Sequence, residues 1–230
     1  MSQHNNISPT GLAWKKLTGN KLSLLGIIVI SVFLLIAILG PFVRPDSSSK
    51  ANNQHIELAR KSPGFSVEML QLKHEVDQDF TDAWLFGFDK NYKSIPIYSA
   101  KGKEGYVLAE KYTGNEPNDG EFIKVNKEEL FGKTLEESIT KEYFWLGTDR
   151  YGRDMLSRLM AGTWISFTVG FISILISLVI GISLGAIAGF YRGKLDDLIM
   201  WFINVVWSIP TLLLVIAISL ALGKGFWQVF

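Results

Sequence analysis

Residues 22–43 read LSLLGIIVISVFLLIAILGPFV, a run of 22 positions without Asp, Glu, Lys or Arg. As a helix rising ~1.5 Å per residue it is about 33 Å long, close to the ~30 Å hydrocarbon core of a bilayer. Two further runs share the property, 33 residues at 159–191 and 26 at 198–223. Three such runs in 230 residues make this a membrane protein. The predicted fold class is an all-α polytopic membrane protein with a small α+β domain inserted between its first two spans.

Charges place the ends of these runs. Lys15, Lys16 and Lys21 precede the first run, which is too long for the apolar part of a cleaved signal peptide and has no small-x-small cleavage site. The first span is therefore read as an uncleaved anchor over 22–43. The second is trimmed to 164–191, because Trp164 and Tyr191 suit the two aromatic belts of a membrane. The third is placed at 198–222, introduced by Asp196 and Asp197, which favour a helix N-terminus. Five basic residues (the three lysines with Arg192 and Lys194) lie on one side, predicting that 1–21 and the turn 192–197 are cytoplasmic. Residues 44–163 are then outside, and 223–230 form an outer turn and the start of a fourth helix.

Residues 44–146 are hydrophilic, and the whole connection 44–163 carries a net charge of −3. It opens with a linker-like RPDSSSKANNQ. Met69, Leu72, Val76 and Phe80 recur at helical spacing and predict a helix. Ser94–Tyr98 and Gly105–Glu110 flank a Gly/Lys-rich turn and predict a hairpin. Thr134-Leu-Glu-Glu137 reads as a capping box ahead of a short helix. The segment Phe144–Leu159, FWLGTDRYGRDMLSRL, pairs Arg150 with Asp154 and Asp154 with Arg158 at four-residue spacing. With Met155, Leu156, Leu159 and Met160 as an apolar face, it predicts an interfacial amphipathic helix over 147–163.

Composition excludes several kinds of function. Without cysteine there is no disulfide framework, thiolate metal site or cysteine nucleophile. Near balance, 23 Lys+Arg against 22 Asp+Glu, argues against a nucleic-acid partner. No phosphate loop, H-E-x-x-H, G-x-S-x-G or dinucleotide fingerprint occurs. His4, His55 and His74 are scattered, with a span between the first and the others, so neither a metal site nor a cofactor is expected. Paired acids such as Glu128-Glu129 read as solvated faces.

The polar features of the spans concern packing. Ser173, Ser177, Gly181, Gly185 and Gly189 fall at strict four-residue intervals, a ridge that lets another helix approach closely, within the chain or in another subunit. Trp201, Asn204, Ser208 and Thr211 form one stripe on the third helix, which Pro210 is expected to kink. An amide at that depth is costly against lipid. It either bonds a neighbouring helix or lines a pathway.

The run G-T-D-x-x-G-R-D-x-x-S-R (Gly147, Thr148, Asp149, Gly152, Arg153, Asp154, Ser157 and Arg158), then G-F-Y-R-G-K-L-D-D (189–197) and S-I-P-T-L-L-L (208–214), resembles permease subunits of ABC importers for dipeptides, oligopeptides and nickel. The likeness is to the second permease of the pair, loosely over 11–43 and tightly over 144–230. It implies a type-I permease of six helices, of which this chain would be an N-terminal fragment with three. The implied partners are a second permease, two cytoplasmic ATPase subunits and an extracytoplasmic binding protein, in a bacterial inner membrane. Two positions depart from the family: Trp201 and Asn204 stand where a charged Arg/Asp pair is usual. The family linker is also far shorter, making 44–146 an insertion. The alternative readings are a membrane-anchored sensor or assembly protein whose outer domain binds a ligand, and a membrane enzyme, for which no acid or histidine cluster is evident.

Overall fold

The structure is a computed structural model and describes residues 8–114, 117 and 121–223. Lys224 and the rest of the anticipated fourth-helix start lie outside these residues, as does His4. The chain divides into two compact units, 1–164 and 165–230.

The first unit opens with a helix that the sequence reading did not anticipate, α1 (Pro9–Gly19). Ser8 caps it, its hydroxyl accepting from the Gly11 amide at 3.2 Å, and Pro9 begins it, where a missing N–H costs nothing. Asn20 caps the next helix, α2 (Lys21–Val43), through the Leu22 amide at 2.9 Å. This is the first span, long and apolar enough to cross a membrane.

RPDSSSKANNQ is not a loose linker. Arg44 is buried, and its Nη2 donates to the carbonyls of Ser47 (3.1 Å), Ser48 (2.6 Å) and Phe86 (2.7 Å). The Asp46 carboxylate accepts from the amides of Ser48 and Asn53. A guanidinium with three carbonyl partners fixes the chain where it leaves α2.

A five-stranded antiparallel sheet follows, in the order β4-β3-β2-β1-β5. Its strands are β1 (Phe65–Lys73), β2 (Tyr92–Gly102), β3 (Tyr106–Lys111), β4 (Phe122–Asn126) and β5 (Ile139–Phe144), with a seven-residue helix α3 (Phe80–Phe86) between β1 and β2. The predicted helix through Met69 and Leu72 is therefore a strand. Phe65–Lys73 pairs on both sides, with Met69 opposite Pro96 in β2 and Thr140 in β5. Backbone pairing outweighs a spacing that four residues matched by coincidence. The predicted hairpin is β2–β3, longer than expected. At Thr134 the hydroxyl accepts from the Glu137 amide, but Glu137 accepts from the Lys133 amide, and one 3-10 turn leads into β5.

The sheet buries apolar side chains on both faces. Leu70, Ile97, Val107, Ala109 and Val125 pack beneath Leu130 and Leu135. Val67, Met69 and Phe144 pack beneath Leu58, which is fully buried. That second face is the one turned to residues 55–62, and so to the next segment.

Residues 147–154 are not helical. Helix α4 starts at Met155 and runs unbroken to Tyr191, so no separate interfacial helix precedes the second span. In the second unit, the third apolar run begins at Lys194 rather than Leu198 and is two helices, α5 (Lys194–Ser208) and α6 (Thr211–Leu222), bent by 83°. The Pro210 kink is a full break, with Ile209 donating to the Val206 carbonyl at 3.3 Å and Pro210 itself capping α6. Among the described residues, two helices are thus long and apolar enough to cross a membrane, or three if the bent pair is one span.

Candidate functional site

Of the sequence-predicted run at 147–158, residues 147–154 form a folded loop and 155–158 the first turn of α4. Gly147 (φ +74°) and Gly152 (φ +71°) adopt left-handed backbone at the loop's two corners. No other residue fits: a Cβ on Gly147 would lie 2.2 Å from the Lys61 carbonyl oxygen, and one on Gly152 1.6 Å from that of His55. Between them the Asp149 carboxylate accepts from the amides of Tyr151 (2.8 Å) and Arg153 (3.1 Å). Arg153 returns two side-chain contacts to Asp149, Nε at 2.8 Å and Nη2 at 2.6 Å, in a largely buried ion pair. Burial alone would raise the Asp149 carboxyl, but these hydrogen bonds hold it below its ordinary value.

The predicted four-apart pairs involving Asp154 do not form. Asp154 instead accepts from both the amide (2.8 Å) and the hydroxyl of Ser157, capping the first turn of α4.

The loop is also stitched to the segment that leaves α2. Thr148 Oγ1 accepts from the Lys61 amide at 2.8 Å and donates to the Leu58 carbonyl. The Arg60 amide donates to the Asp149 carbonyl, and Arg153 Nη1 reaches Asn52 Oδ1 at 2.9 Å. Arg158 Nη1 lies 3.5 Å from the Lys50 carbonyl. The Asp46 amide donates to Ser157 Oγ at 2.9 Å. Gly147, Thr148, Asp149, Gly152, Arg153, Asp154, Ser157 and Arg158 are thus brought together, as a clamp holding the sheet domain to the heads of two helices.

Under the clamp is a cavity of about 160 Å³ of mixed lining, in which Asp46, His55, Lys90, Glu142 and Asp154 meet Tyr92 and Phe144. His55 Nε2 and Asp154 Oδ1 are buried and have no hydrogen-bond partner among the described residues. Burial pushes the His55 imidazole below its ordinary value, with Glu57 and Asp46 opposing. Burial pushes the Glu142 carboxyl up, against Lys90, and the charges of Asp46 and Asp154 push the same way. Both groups are thereby biased towards their neutral forms. Sequence reasoning missed this cluster, since its members come from positions 46 to 154 and only the fold collects them. Among the described residues, no three His, Asp or Glu side chains are placed to hold a metal ion.

The remaining predicted residues are on the helices of the second unit. Ser173, Ser177, Gly181, Gly185 and Gly189 lie on α4, and nothing lies within 4 Å of where a Cβ would sit on the three glycines. Trp201, Asn204 and Ser208 are exposed on α5, with Ser208 donating to the Val205 carbonyl at 2.7 Å. Thr211 opens α6 beyond the break, so the anticipated continuous stripe ends at Ser208.

Comparison with known proteins points in one direction. Residues 8–63 match the family described as the N-terminal TM domain of oligopeptide transport permease C. Over 81 residues the chain is 43% identical to a glutathione transport system permease protein of Pectobacterium atrosepticum, covering 35% of this chain and 27% of that protein. It is 49% identical over 75 residues to a dipeptide transport system permease protein of Haemophilus influenzae, covering 33% of this chain and 25% of that one. A dipeptide permease protein of Lactococcus lactis is 25% identical over 213 residues, 93% of this chain and 50% of its own length. The chain therefore spans between about a quarter and a half of these relatives. No solved structure matches.

Proposed function

We propose that the chain is part of a permease subunit of an ATP-driven ABC importer for peptides or related small solutes, contributing half of the translocation pathway. The observation that carries this reading is the match of 8–63 to an oligopeptide-permease domain, in a chain whose clamp at 147–158 joins the same span to the next. Its partners would be a second permease, two cytoplasmic ATPase subunits that supply the hydrolysis, and an extracytoplasmic binding protein. The subunit would lie in a bacterial inner membrane with residues 1–21 and 192–197 in the cytoplasm, in keeping with five basic residues on those segments. The sheet domain would then be outside, held over the heads of α2 and α4, where it docks the binding protein. The small-residue ridge on α4 would meet another subunit, and Trp201, Asn204 and Ser208 would face the pathway.

The test is uptake. Disrupting the gene should abolish accumulation of labelled di- and tripeptides by intact cells, and its reintroduction should restore it. Undiminished uptake of peptides and glutathione in the disrupted strain would overturn the assignment.

A further inference from the structure

Residues 80–88, FTDAWLFGF, hold four aromatics in nine positions. Three contacts fix the height of Phe86 and Phe88 relative to α2. The Phe88 ring lies 5.1 Å from that of Phe42, the penultimate residue of α2. The Phe86 carbonyl accepts from Arg44, one residue past the end of α2, at 2.7 Å. Lys50 Nζ sits 4.9 Å from the Phe86 ring centroid. The 22 apolar residues of α2 match the hydrocarbon thickness, so its last turn marks the level where acyl chains give way to headgroups. Phe86 and Phe88 are therefore at that level. Phe80 is 72% exposed and Phe86 37%, the latter partly covered by Lys50, while Asp79 and Asp82 supply a charged side to the same short helix. Aromatic rings with an adjoining polar side are the chemistry that membrane interfaces select.

We propose that residues 80–88 are a membrane-surface anchor, with Phe80 and Phe86 seated among lipid headgroups beside the head of α2. The sheet domain is thus held down at two points, by the clamp on α4 and by lipid under α3. The inference rests on α2 crossing a bilayer and not on peptide transport.

Because the chain has no cysteine, a single nitroxide can be attached at Phe80→Cys and the purified full chain reconstituted in phosphatidylcholine/phosphatidylglycerol vesicles. Collision rates with oxygen and with a water-soluble nickel chelate then report depth. Labels at Leu25→Cys, exposed on α2, and at Lys103→Cys, in the turn between β2 and β3, supply the lipid and water references. The oxygen-to-nickel ratio at 80 should exceed that at 103 several-fold and fall below that at 25. A ratio equal to that at 103 would overturn the anchor. So would a label at 80 shielded from both reagents, which would mean a protein covers it. Phe86→Cys repeats the measurement should the first variant fold poorly. A water-like reading at Leu25 would instead remove the membrane span, a separate failure.

Discussion

Gly152 bears the tightest constraint in the clamp. A side chain there meets the His55 carbonyl oxygen at 1.6 Å, and the left-handed backbone adds roughly 1–2 kcal/mol for any L-residue. Relief would require moving His55, which lines the cavity, and so the clamp and the cavity share one point of failure. Gly152→Ala should lower the apparent melting temperature of the detergent-solubilised chain well beyond Tyr151→Ala. The latter removes an exposed ring stacked near Arg150 and Arg153, worth about 1 kcal/mol or less. Equal melting of the two variants would contradict the packing assigned to Gly152.

His55 itself gives a pH dependence whose sign follows from burial. Its folded-state value lies below the ordinary 6.5, so the unfolded chain takes up a proton first as pH falls. Its contribution is complete above pH 6.5 and is lost below it. Glu142 acts oppositely: its raised value contributes stability at low pH that is lost as pH rises through the folded-state value. A His55→Gln variant should therefore show a smaller fall in melting temperature between pH 7.5 and 5.5 than the parent chain. A fall as large as the parent's would mean that the imidazole is not held neutral.

At the scale of elements, charge-free runs were enough to locate both long apolar helices, because lipid demands an uninterrupted apolar stretch and leaves few alternatives. The β2–β3 hairpin was legible for a similar reason, since a Gly-rich turn between β-branched and aromatic residues is a local signal. Two elements were misread where local signals competed with long-range ones. Phe65–Lys73 is buried on both faces between two partner strands, and such a strand loses the alternation that would identify it. Residues 147–154 carried oppositely charged residues four apart, which suggested a helix. Gly147 and Gly152, five residues apart, were the contrary sign, and they specify the two corners of the loop. The residues at 147–158 were singled out but given the wrong shape, because their partners lie at positions 46–61. The cavity left no trace in the sequence. Its residues are individually ordinary and spread from position 46 to position 154.

At the scale of the molecule, a crossing by α2 would put the sheet domain and the clamp on one side of the membrane and α1 on the other. With the sheet domain outside, Lys103→Cys, in the exposed turn between β2 and β3, should react with an impermeant maleimide in intact cells. Thr10→Cys on α1 should react only after the membrane is permeabilised. Labelling in the reverse order would invert the proposed orientation.

The span of the clamp also sets a timetable. The hydrogen bond from the Asp46 amide to Ser157 closes 111 residues of intervening chain, and that from Thr148 to Leu58 closes 90. A ribosome adding about 5–20 residues per second needs on the order of 5–20 s to go from one end of the longer loop to the other. Throughout that interval α2 is already made, while Leu58 and the sheet face it will cover remain unshielded. The segment is then a nascent chain with exposed apolar surface and no native lid, which is when a holding chaperone or a protease competes for it. Loss of Gly152 or Thr148 would extend that window indefinitely, so such variants should be recognised first by low abundance in the cell.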